Sequence, residues 1–420
     1  MRVLYVSHTA QVSGGERSLL DLLGALDTRV QPTVATPDGH LSTALRRMGV
    51  PTRTIPGTAG SLKPHLLHTP KTLGELAQAA WLVRRIARRD GVDVVHANSI
   101  RAGIVATLAA RIGAPPAVVH VRDVLPDGVL TRLTRSAIAS GASAIIGNSA
   151  YTLRQFATPS ARAVRAVAHS PVELDRLRAA RELDRGRARL ALGIPSDAGP
   201  VLGVVAQLTP WKAQDDAVRI VAGLRASHPD VRLLLAGSAK FVSSSTRHDN
   251  RAFVRRLHAL IDELKVRDRV ELLGERDDVP EVLRAFDLLL LPSWEEPFGR
   301  AAVEALAVGV PVAATSVGGP AEVLRDGVDG LLLPPRRPDE WVAALSPLLG
   351  DRERLAQMAR AGRARAADFD SRANADRLVT LYKDVLEANE GARRLWPGAN
   401  HSTDTVADLS DKSGGRRRCP

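Results

Sequence analysis

Cysteine and aromatic residues are scarce in this chain of 420 residues, which has a single cysteine and only 3% aromatic residues. The cysteine, Cys419, is the second residue from the end. A disulfide within the chain and a metal site built from several cysteines are therefore both excluded. Proteins that hold nucleic acid by base stacking interleave basic and aromatic residues, and no region here does so. Nucleic acid is therefore not an expected partner.

Long apolar runs and metal-binding patterns are also missing. No stretch approaches the length needed to cross a bilayer, and the opening residues MRVLYVSHTA are typical of a strand, not of a signal peptide. We therefore expect a cytoplasmic protein. The eleven histidines are scattered, without the spacing of a zinc-binding H-E-x-x-H helix.

The positive charge is concentrated in the first part of the chain. Residues 1–172 contain 20 lysines and arginines against 9 aspartates and glutamates, a net charge of +11, and the whole chain has +12. A basic domain fits an anionic partner, such as the inner surface of the membrane, a lipid-linked phosphate or an acidic glycan. A solvated, arginine-rich surface explains the charge equally well, so both interpretations stay open.

The stretch Leu288–Thr315 carries the most informative pattern. Its apolar run 288–291 is short and lacks a helical period, which predicts a strand buried on both faces. Pro297 suits the first position of a helix that ends at Gly309, and residues 310–314 predict the next strand. A strand, loop, helix and strand form a parallel unit, in which ligands bind beyond the carboxyl ends of the strands.

Two glutamates of this stretch, Glu296 and Glu304, are eight residues apart. This is roughly 12 Å along a helix axis, too far for the two acids to share a proton. They can hold two ends of one elongated ligand, while free N–H groups near Phe298 and Gly299 face an anion between them. A nucleoside diphosphate sugar has this layout. The alternative is that Glu304 is a solvated helix carboxylate and Glu296 an ordinary cap.

The string from Glu296-Pro297-Phe298-Gly299 to Glu304 resembles the E-x7-E motif of the retaining GT-B glycosyltransferases of family 4. The resemblance implies an α/β protein of GT-B fold, with two Rossmann-like, doubly wound parallel-sheet domains facing a cleft. It further implies that Glu296 faces hydroxyls of the donor sugar, that Phe298 and Gly299 offer backbone N–H groups, and that Glu304 holds the ribose diol. It covers nearly the whole chain short of the tail.

A second strong string, Gln207-Leu-Thr-Pro-Trp-Lys212, follows a predicted strand. A diphosphate in a cleft needs a cation, and Lys212 can supply a point charge ahead of the next helix. Family 4 members commonly have arginine and lysine here, whereas this chain has the uncharged Gln207 in place of the arginine. The resemblance also places the nucleobase against the turn near Arg276.

The first half contributes two further candidates. Gly14 and Gly15 lie at a strand-to-helix turn, where glycine lets the backbone approach a ligand, and in family 4 this loop reaches the cleft. A histidine inside an apolar strand is usually a hydrogen-bonded core residue, but the family has a histidine at the strand end that matches His120, next to the donor sugar. That makes His120 a candidate catalytic residue. Arg122 and Asp123 are either an internal ion pair or contacts to the acceptor.

The predicted division of the chain follows from these patterns and from the resemblance. We expect a first, acceptor-side domain, a linker region, a second domain that binds the nucleotide sugar, a helix that crosses back to the first domain, and a disordered polar tail. Their bounds are 1–172, 173–200, 201–367, 368–390 and 391–420.

The reaction implied by the resemblance is transfer of a hexose from a nucleoside diphosphate sugar to an acceptor hydroxyl with retention. The acceptor is a glycan, a lipid-linked molecule or a small molecule. No cofactor or metal is expected, since no D-x-D motif lies at a strand end. One alternative is a sugar-nucleotide 2-epimerase on the same fold. The other is a non-catalytic protein that binds anionic glycans or nucleic acid.

Overall fold

The structure is a computed structural model that describes residues 1–57, 69–156, 163–240 and 249–395. The tail expected from residue 391 lies outside these ranges, apart from residues 391–395, which continue the last helix. None of the described helices is long and apolar enough to cross a membrane.

The first half of the described chain forms a parallel sheet of seven strands in the order β3-β2-β1-β4-β5-β6-β7. The strands are β1 (Arg2–Val6), β2 (Gln31–Thr36), β3 (Thr52–Thr54), β4 (Val94–Ala97), β5 (Ala117–Val121), β6 (Ala144–Gly147) and β7 (Val164–Val167). β4 and β5 consist mostly of valine and alanine and are buried along their whole length. Strands covered on both faces are what continuous apolar runs predict.

Helices connect these strands and cover both faces of the sheet. They are α1 (Gly14–Ala25), α2 (His40–Arg47), α3 (Thr69–Arg89), α4 (Ile100–Arg111), α5 (Val129–Gly141) and α6 (Ala150–Arg154). The side chain of Ser99 caps α4 by accepting a hydrogen bond from the N–H of Ala102 at 3.2 Å.

The second half forms a parallel sheet whose described strands number six, in the order β10-β9-β8-β11-β12-β13. The strands are β8 (Val201–Val205), β9 (Arg232–Ala236), β10 (Val270–Gly274), β11 (Leu288–Leu291), β12 (Val312–Thr315) and β13 (Gly330–Leu333). The helices are α9 (Gln214–Leu224), α10 (Asn250–Glu263), α11 (Val279–Arg284), α12 (Arg300–Val308), α13 (Pro320–Val323), α14 (Pro338–Gly350) and α15 (Arg352–Ala366). Single 3₁₀ turns precede α9 and follow α15.

The segment where the sequence predicts the boundary, 173–200, contains α7 (Leu174–Ala180) and α8 (Arg185–Leu190). Its apolar residues join the core of the second domain, as Leu177 and Ile194 do. The last helix, α16 (Ser371–Leu395), packs instead on the first domain. There Tyr382 Oη lies 2.8 Å from His96 Nδ1 and 3.3 Å from Tyr5 Oη.

The strand order indicates where a ligand-binding crevice lies in each domain. In each sheet the order reverses at one point, between β1 and β4 in the first and between β8 and β11 in the second. Loops beyond the carboxyl ends of strands at such a point form a crevice. The fold therefore brings two crevices face to face. Each sheet, together with the helices that cover it, forms one of the two Rossmann-like domains that the sequence predicts.

Candidate active site

A cleft of about 1100 Å³ lies between the domains, with walls formed by the loops that follow β1, β4 and β5 and by those that follow β8, β10 and β11. Most of the residues that the sequence assigns to the site line it. They are Gly14, Gly15, Gln207, Lys212, Arg276, Glu296, Phe298, Gly299 and Glu304.

Lys212 and Glu296 meet directly in the wall of the second domain. Lys212 Nζ donates to Glu296 Oε2 at 2.6 Å, and the Ser293 hydroxyl donates to the same oxygen at 2.9 Å. Their side chains are only 14% and 8% exposed. The ammonium also lies 4.1 Å from the centre of the Trp211 ring, a cation–π contact. The cation and the acid assigned to different parts of a ligand thus lie in contact before any ligand binds.

The start of α12 presents backbone donors to the cleft. The helix begins at Arg300, later than the predicted start near Pro297, because Gly299 adopts a left-handed conformation with φ of 94° that ends the preceding loop. Within the described residues, the N–H groups of residues 298–301 donate no backbone hydrogen bond. Free N–H groups at a helix start favour an anion.

The backbone of Glu296 is fixed by the turn that follows β12. Gly319 N–H donates to the Glu296 carbonyl at 2.8 Å, and Glu296 N–H donates to the Val317 carbonyl at 3.2 Å. Gly318 has a φ of +110°, and a Cβ there would lie 2.0 Å from the Glu296 carbonyl oxygen. Only glycine therefore permits this approach.

Glu304 lies one turn after Arg300 on α12 and faces the cleft. Its Oε1 accepts a hydrogen bond from Arg300 Nε at 2.7 Å, and the two side chains are 15% and 16% exposed. The sequence predicts Glu304 as a ligand contact but gives Arg300 no role. The signal that could have found Arg300 is its i,i+4 spacing to the glutamate.

The loop before α1 forms the opposite wall. A Cβ at Gly14 would meet no atom within 4 Å, and one at Gly15 would lie 3.4 Å from the side chain of Arg122. Burial raises the pKa of Glu16, which accepts from the Ser13 N–H at 3.2 Å. Sequence reasoning missed Lys240 of the second domain, whose Nζ donates to the Val12 carbonyl at 3.0 Å.

His120 does not line the cleft, contrary to the expectation from the family resemblance. It is fully buried in β5, with Nδ1 3.2 Å from Arg122 Nη2 and its ring 5.5 Å from that of His96. Burial and the Arg122 charge hold the pKa of His120 well below its ordinary value, so the ring is neutral. The correction is that His120 is a core residue that supports Arg122, because its strand position points it beneath the cleft wall.

Arg122 and Asp123 have different surroundings: Arg122 is buried, whereas Asp123 is exposed to the cleft. Arg122 is buried, with Nε donating to Asn98 Oδ1 at 3.1 Å and Nη1 to the Ser170 hydroxyl at 3.3 Å, and burial lowers its pKa to about 10. No salt bridge joins it to Asp123 in the described part of the chain. Asp123 is open to the cleft, yet the enclosing protein raises the pKa of its carboxyl.

Gln207 and Arg276 complete the wall of the second domain. The Gln207 carbonyl accepts from Gln214 Nε2 at 2.8 Å, which fixes the turn after β8. Arg276 Nη2 forms an ion pair with Asp278 at 2.6 Å and so stiffens the turn after β10. Both residues line the cleft.

The charged side chains and free N–H groups of the cleft suit an elongated ligand that carries an anion between two sets of hydroxyl groups. Carboxylates lie at two points along the wall; the ammonium contacts the first, Glu296, and the start of α12 lies between Glu296 and Glu304 along the chain. Within the described ranges, no group of three histidine, cysteine, aspartate or glutamate side chains is arranged to hold a metal ion.

Comparison with known sequences identifies relatives over most of the chain. The family model for Glycosyltransferase Family 4 matches residues 12–190, and that for Glycosyl transferases group 1 matches residues 191–365. D-inositol 3-phosphate glycosyltransferase of Nocardia farcinica is 31% identical over 379 residues, which is 86% of this chain and 78% of that protein. The Mycobacterium tuberculosis H37Ra enzyme of the same name is 32% identical over 86% of this chain and 72% of its own length. A 37% identical match from Stackebrandtia nassauensis spans about half of each protein, 51% and 48%.

Solved structures with a similar fold are also found. HepE of Anabaena, in complex with UDP and glucose, superposes with a TM-score of 0.76 at 25% identity, over 91% of this chain and 99% of that one. Sucrose-phosphate synthase of Thermosynechococcus elongatus, with a TM-score of 0.73 at 22% identity over 92% and 99%, shares the fold. The family and the fold expected from the sequence are thereby confirmed. The chain belongs to glycosyltransferase family 4, and the protein is a glycosyltransferase with the GT-B fold.

Proposed function

We propose that this enzyme transfers a hexose from a nucleoside diphosphate sugar to an acceptor hydroxyl, with retention and without a metal ion. The observation that carries this proposal is the contact of 2.6 Å between Lys212 and Glu296, next to the start of the helix that bears Glu304. HepE, which is similar in sequence and fold, was crystallised with UDP and glucose, and this supports a uridine nucleotide as the first donor to test.

The donor lies along the wall of the second domain in this proposal. Its sugar hydroxyls donate to Glu296, its diphosphate meets Lys212 and the N–H groups at the start of α12, and its ribose diol meets Glu304. The nucleobase rests against the turn that contains Arg276. Each of these groups lines the same cleft, which supports this arrangement.

The chemical step breaks the bond between the anomeric carbon and the diphosphate oxygen, and the electron pair leaves with the diphosphate. Lys212 and the helix-start N–H groups stabilise the charge that develops there. The acceptor oxygen forms its bond to the same face of the sugar, and its proton passes to an oxygen of the leaving phosphate. Protein groups thus supply the charge stabilisation that a metal ion gives in other enzymes.

The acceptor lies on the first domain in this proposal, and we expect it to be anionic. Arg101 lines the cleft and has no salt bridge or hydrogen bond to its side chain among the described residues. Arg101 interacts electrostatically with Asp123 but forms no salt bridge with it, so its guanidinium is available to a phosphate or carboxylate. Two relatives are named for transfer to inositol 3-phosphate, so a polyol phosphate is the acceptor to test first.

The test is to incubate the purified protein with UDP-hexoses, with and without an inositol phosphate, in the presence of EDTA. We expect UDP release that requires the acceptor, with EDTA having no effect, and a product whose anomeric configuration by NMR equals that of the donor. An inverted product would contradict retention. Loss of activity in EDTA, restored by a divalent metal, would contradict metal independence.

The reaction without acceptor tests the first alternative, and a separate binding assay at several salt concentrations tests the second. An epimerised sugar nucleotide formed without acceptor would establish the epimerase and overturn the transferase. Tight binding of anionic glycan or nucleic acid that weakens steeply with salt, without turnover of any nucleotide sugar, would establish a binding protein instead.

A further inference from the structure

Arg300 lies where three parts of the chain meet: helix α1 of the first domain, the crossing segment at 170–173, and helix α12 of the second domain. Its Nη2 contacts Asp21 Oδ2 on α1 at 2.5 Å, and its Nη1 donates to the Pro171 carbonyl at 2.7 Å and to the Ser18 hydroxyl at 3.3 Å. Its Nε donates to Glu304 Oε1 at 2.7 Å. The guanidinium therefore uses all three of its nitrogens.

The contact with Arg300 restricts how Glu304 can meet a ligand. A carboxylate on a helix has several rotamers, and a planar guanidinium that takes one oxygen selects among them. The other oxygen, Oε2, accepts no hydrogen bond within the described residues, and Glu304 lines the cleft. The free oxygen is thus the one available to a diol, and Arg300 determines its direction.

The contact with Asp21 brings the first domain into the same network. Asp21 is 14% exposed and also accepts from the N–H of Glu173, the residue that precedes α7, at 3.3 Å. Asp21, Arg300 and Glu304 therefore form a charge triad of two carboxylates around one guanidinium, and all three are mostly buried. Removing one partner from such a group leaves the others desolvated and incompletely paired.

We propose that Arg300 is a positioning residue with two arms: the arm to Glu304 orients the carboxylate for the ribose of the donor, and the arm to Asp21 holds the two domains closed around it. This inference rests on the proposed donor site, in which Glu304 meets the ribose. It assigns the affinity for the ribose hydroxyls in part to a residue whose guanidinium nitrogens all contact protein groups.

The first arm is tested by measuring the affinity of the full-length protein for UDP and for its 2′-deoxy and 3′-deoxy forms by calorimetry. In the wild type, we expect loss of a ribose hydroxyl to weaken binding about 10-fold or more, as for a hydrogen bond to a charged group. In Arg300→Met, UDP and the deoxy forms should bind with nearly equal affinity. Arg300→Lys should restore part of the difference, since it keeps the charge without the rigid fork.

The control for this arm is Arg267→Met, which removes an exposed arginine paired with Asp262 on the outside of the same domain. It should leave all three affinities unchanged. A merely structural role for Arg300 would weaken UDP and the deoxy forms by the same factor, and that result would overturn the proposal. If the wild type binds UDP and the deoxy forms equally, the ribose role of Glu304 fails instead, and with it this part of the proposed function.

The second arm is tested with Asp21→Asn, which keeps the contact between Arg300 and Glu304 and also answers the case in which Arg300→Met does not fold. We expect the same weakening of all three nucleotides, so that discrimination for ribose is kept. Small-angle scattering should show a larger radius of gyration without ligand, which returns toward the wild-type value with saturating UDP. Unchanged affinity and an unchanged radius would overturn the role in closure.

Discussion

Lys212 is the residue on which the proposed chemistry depends most. Its ammonium is held by one carboxylate oxygen of Glu296 and by the face of Trp211, which leaves at least one of its three N–H groups for a phosphate. In an enclosed cleft a fixed charge acts more strongly than in water. The leaving diphosphate therefore meets a cation whose position is set before binding.

Lys212→Ala should lower kcat by about 100-fold or more, because the charge on the leaving group loses its main stabilising partner. Steady-state kinetics with a saturating acceptor measure this. Lys383→Ala removes an exposed lysine from α16 and should leave kcat unchanged. Turnover of the Lys212 variant within a few-fold of the wild type would show that the backbone N–H groups carry the stabilisation alone.

Single residues were predictable from the sequence where a local pattern surrounds them. Lys212 and Glu296 each follow a buried strand and a turn, and their cleft positions could be read from those patterns. Lys240 could not, because its partner, the Val12 carbonyl, lies more than 200 residues away. For Arg300 the i,i+4 spacing indicates the pair with Glu304, but nothing local indicates the contact with Asp21, which is also more than 200 residues away. For His120 the pattern fitted a core residue as well as a ligand contact, and the core position is the one found.

At the scale of elements, the turn between β12 and α13 supports the active site without touching a ligand. Gly318→Ala should destabilise the protein by about 3 kcal/mol or more, because a Cβ would meet the Glu296 carbonyl in a backbone conformation that other residues rarely adopt. Thermal unfolding measures this loss, and the affinity for the donor should fall with it.

The matched control for this turn is Gly350→Ala at the end of α14, where a Cβ would meet nothing within 4 Å. Its melting temperature should stay close to that of the wild type. Equal stability of both variants would mean that the turn can rearrange without moving Glu296.

Two elements, α5 and β7, give only a weak signal in the sequence, and the cause is the same for both. The inner face of α5 carries Thr131 and Thr134, whereas Val129 and Leu133 are 65% and 61% exposed. The strand β7 lies at the edge of its sheet and exposes its valines. In both elements exposed apolar residues obscure the buried face, which in α5 also carries Ile138 and Ala139, so periodicity gives only a weak signal.

At the scale of the whole molecule, buried histidines make stability depend on pH. Burial lowers the pKa of His8 to about 4 and that of His96 to about 3, and it holds His120 well below its ordinary value. These rings stay neutral in the folded state, whereas an unfolded histidine takes up a proton near pH 6.5. The unfolded state thus binds more protons below pH 6.5, so stability falls as the pH falls from there toward 4.

We expect the free energy of unfolding, measured with urea, to be lower at pH 5 than at pH 7. Each buried histidine contributes about 1.4 kcal/mol per pH unit in this window. The raised pKa values of Glu16 and Asp123 act in the opposite direction and reduce the net change. Calorimetry should detect net proton uptake on unfolding at pH 5.5. Proton release, or equal stability at both pH values, would contradict a pH dependence dominated by the buried histidines.

The two domains are connected twice, and the connections are paired. The first crosses at Val172 and the second near Phe369, where Val172 N–H donates to the Phe369 carbonyl at 3.1 Å and Ser371 N–H to the Val172 carbonyl at 3.0 Å.

Because α16 packs on the first domain, truncation after Asp370 should expose the surface that this helix covers. We expect a lower melting temperature and increased binding of a hydrophobic dye, with rescue by an added peptide of residues 371–395. A chain that ends after Leu395 is the control and should match the wild type.

The position of α16 also has a consequence for synthesis. Tyr382, Leu378 and Val385 pack in one cluster with Tyr5 and Leu19, so β1 and α1 are completed by a helix that is synthesised only after the whole second domain. The second domain can finish its own core while the amino-terminal half, although made first, still lacks one side. The nascent chain thus carries an open apolar surface while the second domain is being made, and a chaperone that shields this surface would bind the first domain.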